Sequence, residues 1–66
     1  MKQAELIRRM RKIAKDGGLD LEFVRHGSNH DQYRIGTTLL PVPRHREIKE
    51  GTANAILKDA LAATKG

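Results

Sequence analysis

The chain has 66 residues, 38% apolar and 32% charged, a balance that fits one small globular domain and excludes a disordered polyelectrolyte. It has no cysteine, which excludes a disulfide framework, a thiolate nucleophile and a Cys-ligated zinc or iron–sulfur site. Apolar runs such as Leu39–Val42 are far short of the roughly 20 residues of a membrane-spanning helix and too short for a signal-peptide core, so a cytoplasmic home is the expectation.

Charge is distributed more informatively than it is abundant. Thirteen Lys and Arg against eight Asp and Glu give +5. Residues 1–15 hold Lys2, Arg8, Arg9, Arg11, Lys12 and Lys15 against Glu5 alone, and from Asp16 onward the signs cancel. Concentrated positive charge attracts a polyphosphate through Coulomb attraction and counterion release. It also describes the solvated face of a soluble helix.

In chain order, Leu6, Ile7, Met10, Ile13 and Ala14 form one helical stripe, with the basic residues on the other side. Asp16-Gly17-Gly18 stops this helix. Leu19 to Phe23 alternates with period two and reads as a half-buried strand, followed by turn chemistry at His26-Gly27-Ser28-Asn29. His30 to Ile35 is a second strand, Gly36-Thr37 a hairpin turn, and Thr38 to Val42 a third strand. Pro41 and Pro43 donate no backbone hydrogen bond, so that strand should lie at an edge or end there. After a short connector, Gly51-Thr52 opens a last helix with Thr52 as N-cap, and Ala53, Ile56, Leu57, Ala60 and Leu61 form its apolar stripe. The expectation is a single α+β domain over residues 1–66, helix, three strands, helix. Its antiparallel sheet carries both helices on one face and water on the other, matching the double-stranded-RNA-binding architecture. Phe23 and Tyr33 could stack on bases, but as the two aromatic residues of so small a chain both are expected in the core.

The wet face carries the chemistry. If Tyr33 and Ile35 point inward together with Asp31, then His30, Gln32 and Arg34 point outward. His30 stands behind a Gly-Ser-Asn turn, where backbone amides approach a ligand closely. An imidazole can take or give a proton at cellular pH, and arginines beside it could hold phosphate. The bland alternative is an ordinary surface histidine.

Gly27-Ser28-Asn29-His30, then Pro43-Arg44-His45, then Lys49-Glu50-Gly51-Thr52 and Ala55-Ile56-Leu57-Lys58 resemble, in order and spacing, the HicA family of small bacterial mRNA-interferase toxins. The resemblance covers nearly the whole chain. It implies a double-stranded-RNA-binding-like fold, cleavage of single-stranded mRNA independent of translation, and a HicB-like antitoxin that masks the toxin and usually carries its own DNA-binding domain. No direct DNA binding, membrane or cofactor is implied for this chain. By resemblance the catalytic histidine ends the Gly-Ser-Asn-His motif and falls on His30. Many members read G-S-H-H there, so Asn29 departs from the pattern and removes help from a neighbouring imidazole.

With no cysteine and few carboxylates near His30, the expected chemistry is attack by the RNA's own 2′-OH. His30 is the general base toward that hydroxyl or the general acid toward the leaving 5′-oxygen. Arg34 and Arg44 are candidates to hold phosphate, with Ser28, Lys58, Arg8, Arg11 and Lys12 as further RNA contacts. His45 is the one other imidazole considered as a second acid/base group, and a structural connector residue is the alternative. His26 and His30 are four apart, but the intervening turn breaks any helix and no metal site is expected. The competing readings are a non-catalytic RNA-binding module and a protein-interaction domain whose charge serves solubility.

Overall fold

The computed structural model describes residues 1–65, so the last residue of the expected domain, Gly66, lies outside the described residues. The order is α1 (Gln3–Asp16), β1 (Leu21–His26), β2 (His30–Ile35), β3 (Thr38–Pro43) and α2 (Glu50–Lys65). The three strands form one antiparallel sheet in the order β1-β2-β3. This is the expected α-β-β-β-α fold with both helices on one face.

The apolar stripe of α1 buries Leu6, Met10 and Ala14 completely. The helix ends because Gly18 takes φ +76°, a left-handed conformation that costs glycine little. That turn directs the Leu19 N–H to the Ala14 carbonyl at 2.8 Å and the Gly18 N–H to the Lys15 carbonyl at 3.0 Å. These are the paired bonds of a Schellman stop, and Leu19 folds back against the core.

Strand β1 runs later than the alternation predicts, from Leu21 to His26. Leu21, Glu22 and Phe23 pair with Ile35, Arg34 and Tyr33, but Arg25 then pairs with Gln32 and His26 with Asp31. Val24 is therefore an extra residue, a β-bulge. Its consequence is a change of face: Leu21 and Phe23 share the helix side with Tyr33 and Ile35, and past the bulge His26, not Arg25, joins that side opposite Asp31. On β3, Leu40 and Val42 point the same way and are buried with Ile35.

The core is completed by Ile48 from the connector and by Ala53, Ile56 and Ala60 from α2. It leaves the β1 edge thinly covered. Phe23 is 50% exposed, and Val24 is exposed beside it, so the expectation of a core phenylalanine is corrected. Tyr33, one strand inward, is half-buried and packs against the core as expected.

Helix α2 also starts earlier than expected. Glu50 is already helical, and the Ala53 N–H bonds the Lys49 carbonyl at 2.9 Å. Thr52 thus lies inside the first turn and Lys49 occupies the cap position. The connector before it is tied to the start of α1. The Gln3 N–H bonds the Arg46 carbonyl at 3.0 Å, the Ile48 N–H bonds the Met1 carbonyl at 2.7 Å, and the Gln3 side chain donates to the Pro43 carbonyl at 2.9 Å. These bonds fix the path of the segment that carries Arg44 and His45.

Candidate functional site

The turn between β1 and β2 is held closed by the Gly27 N–H, which donates to the His30 carbonyl at 2.6 Å. The approach is close enough to require glycine, since a Cβ at position 27 would stand 2.5 Å from that same carbonyl oxygen. From the far side, the Arg44 N–H bonds the Asn29 carbonyl at 3.2 Å, so the end of β3 is fastened to the turn. The result is a depression of about 360 Å³ lined by Ser28, Asn29, His30, Pro43, Arg44 and His45.

Four residues singled out in the sequence therefore converge: Ser28, His30, Arg44 and His45. His30 and His45 are exposed. His45 also borders a second hollow, of about 340 Å³, against Glu47, Ile48, Lys49 and Thr52. Arg34 shares the His30 face of β2 but sits four residues along, about 13 Å away, and its guanidinium donates to Glu22 at 3.3 Å. Arg8, Arg11 and Lys12 lie exposed on α1, and Lys58 lies exposed on α2; none of them lines the depression.

The basic helix is also less available than its charge implies. Glu5 binds both Arg8 and Arg9, the latter at 2.8 Å, and Lys12 approaches Asp16 at 3.8 Å. The Arg9 hydrogen bond, with the Arg8 charge beside it, holds the Glu5 carboxyl below its ordinary value of 4.5.

Sequence reasoning gave His26 and Asp31 no part in the site. Asp31 is only 9% exposed, the one buried charged side chain among the described residues. Its Oδ1 takes a hydrogen bond from His26 Nδ1 at 2.7 Å and faces Arg44 Nε at 3.5 Å. Arg44 Nη1 donates in addition to the Gly27 carbonyl at 3.3 Å. One carboxylate oxygen thus positions an imidazole and a guanidinium together, the means by which a carboxylate fixes a ring's orientation and tautomer. The His26 ring lies 4.8 Å from the Phe23 ring, and the Phe23 ring meets Tyr33 edge-on at 5.4 Å. Burial, reinforced by the Asp31 charge and opposed by Arg11, pushes the Tyr33 hydroxyl above its ordinary value of 10.0.

No signal local to the sequence marks the His26–Asp31 contact, because the Val24 bulge creates it. Without that extra residue His26 would face the other side of the sheet. His26 and His30 stand on opposite faces by register, and among the described residues no cluster of three or more His, Cys, Asp or Glu is placed to hold a metal ion.

Neither the curated proteins nor the solved structures contain a significant relative. The family model described as the HicA toxin of bacterial toxin–antitoxin systems matches residues 4–61. That span runs from the first turn of α1 to near the end of α2 and includes every residue of the depression. The chain belongs to the HicA toxin family.

Proposed function

We propose that this toxin is an endoribonuclease, an mRNA interferase that cleaves single-stranded mRNA without a metal and so arrests translation and growth under stress. The observation that carries the reading is the exposed His30 in a depression shared with Arg44 and His45. In the proposed reaction the RNA 2′-OH loses its proton and attacks the adjacent phosphorus. The bond to the 5′-oxygen breaks, and that oxygen takes up a proton. Products are a 2′,3′-cyclic phosphate and a 5′-OH end. His30 carries one of the two proton transfers, with His45 the candidate for the other, and Arg44 meets the charge on the phosphoryl oxygens.

A HicB-like antitoxin is the proposed partner, acting in the cytoplasm by covering this surface. No helix among the described residues is long and apolar enough to cross a membrane. The proposed docking of acidic antitoxin residues on α1 predicts inhibition that weakens as salt is raised.

One observation favours a second reading, a non-catalytic RNA-binding module. The oriented imidazole of this molecule is His26, held by Asp31, while His30 follows Asn29 where many family members have a histidine. Incubating purified protein with single-stranded RNA in excess EDTA, beside His30→Ala, separates the two. Cleavage by the wild type alone, leaving 5′-OH ends and sparing DNA, supports the nuclease. Binding without cleavage by either protein establishes the module, and 5′-phosphate ends exclude the 2′-OH mechanism.

A further inference from the structure

The chain has one phenylalanine and one tyrosine. Both lie in a single cluster with His26, and that cluster opens to solvent at the β1 edge. A domain this poor in aromatic residues gains most by burying them, since each carries a large apolar surface. Phe23 instead stays half exposed, braced from behind by the edge of Tyr33 and flanked by the tilted His26 ring. His26 is itself largely exposed, yet it is held in place because its Nδ1–H donates to the buried Asp31. The outer surface of the cluster is thus a pre-set pair of rings.

Asp31 links this pair to the depression. The same Oδ1 that accepts from His26 faces Arg44, and Arg44 lines the depression around His30. A stacking surface and a guanidinium therefore meet on one carboxylate, and the guanidinium alone reaches the candidate site of cleavage. A ring face accepts any nucleobase, and a planar guanidinium suits the phosphate that follows it. A base inside a duplex has both faces covered by its neighbours, so only an unpaired nucleotide can use such a surface.

We propose that Phe23, His26 and Arg44 form a subsite for one unpaired RNA nucleotide, the base stacking on the Phe23 ring with the tilted His26 ring at its edge and its phosphate meeting Arg44, which also lines the depression around His30. The subsite rests on the reading of this toxin as an RNA-directed protein and names the form of RNA it takes. In its neutral state, with Nδ1–H committed to Asp31, His26 presents Nε2 as an acceptor for a base amino group or a ribose hydroxyl. The apolar surface and local arginine suit a stacked, anionic ligand better than an acidic peptide, which would leave the ring faces without a partner.

The test is binding of a fluorescent single-stranded 2′-O-methyl RNA hexamer, which cannot be cleaved through the 2′ position, followed by anisotropy at fixed low salt. Phe23→Leu keeps apolar volume but removes the ring face, and should weaken binding about 5- to 100-fold, the range for loss of one stacked base. Phe23→Trp should restore wild-type affinity or exceed it. Binding of the same sequence as a duplex should not respond to either change. In the wild type, proton signals of the Phe23 and His26 rings should shift on titration with the hexamer. Equal affinity of wild type and Phe23→Leu overturns the subsite, as do unmoved ring signals at saturation or failure of the wild type to bind the hexamer. A purely structural role for the cluster would lower the melting temperature of Phe23→Leu while leaving affinity unchanged, which also overturns it. Cleavage of unmodified RNA, followed separately, reports on the nuclease reading, so the two can fail independently.

Discussion

Helix α1 and the β1–β2 turn are the two regions that suggest function, for opposite reasons. Residues 1–15, which include all of the helix but its last residue, hold the whole charge excess of the chain. Much of it is met locally, Arg8 and Arg9 by Glu5 and Lys12 by Asp16. The turn region is close to neutral, yet it gathers an exposed imidazole, a second imidazole bound to a buried carboxylate, and a guanidinium between them. Charge draws a polyanion toward the molecule, and only convergent groups can do chemistry on it.

The sharpest test of that contrast is kinetic. His30→Ala should lower RNA cleavage by ~10²–10⁴-fold, the usual contribution of a general acid or base. Replacing Arg8 and Lys12 together by Gln should leave turnover near wild type and weaken RNA binding evenly across sequences. The slope of log K against log salt should flatten by about 0.7 for each phosphate that is no longer neutralised. Equal losses from the two variants would erase the distinction between the regions.

Next in size is the backbone of the turn. Gly27→Ala places a methyl group against the His30 carbonyl, and overpacking of this kind costs about 1–3 kcal/mol. In a domain of this size the melting temperature should fall about 4–8 °C for each kcal/mol. Cleavage measured well below the melting point should fall as well, because the group that must yield belongs to His30 itself. A full-stability Gly27→Ala protein would show that the turn is compliant.

A smaller effect probes the Asp31 link. In a double-mutant cycle of His26→Ala and Asp31→Asn, read by urea denaturation, the pair should show a coupling of about 0.5–1 kcal/mol. The figure is modest because His26 is largely exposed and screened by water. Coupling at zero would reduce the contact to a bystander.

The smallest effect belongs to the helix. The carboxyl of Glu5 titrates below 4.5 in the folded chain, chiefly through Arg9. Its contribution to stability is therefore present above 4.5 and lost as pH falls through the lower folded-state value. The melting-temperature gap between wild type and Glu5→Gln should be visible at pH 7 and close as the solution is acidified below pH 4. A gap independent of pH would mean that Glu5 acts through packing.

Much of this molecule is legible in its residue order, and the illegible part has one physical origin. The stripe Leu6, Met10, Ala14 and the alternation through Asp31 and Ile35 are periodicities, and each matches the burial found. Gly18 stops α1 by its own conformational freedom, a property of the residue alone. The motif residues Ser28, His30, Arg44 and His45 meet because β2 and β3 pair antiparallel, as the hairpin turn at Gly36-Thr37 requires. Boundaries and caps were less readable. Thr52 has the chemistry of an N-cap, but packing of the connector starts α2 earlier, at Glu50.

Element order, the buried stripe of each helix apart from Leu61, which is exposed on α2, the face of β2 that points inward and the segment that carries the charge all follow from local period or composition. The bulge at Val24, the resulting contact of His26 with Asp31 and the exposure of Phe23 at the sheet edge arise in the assembled fold. Those outcomes depend on how many residues of one strand oppose those of another and on where two helices come to rest. Such relations belong to pairs of distant segments, and no single stretch of sequence contains them.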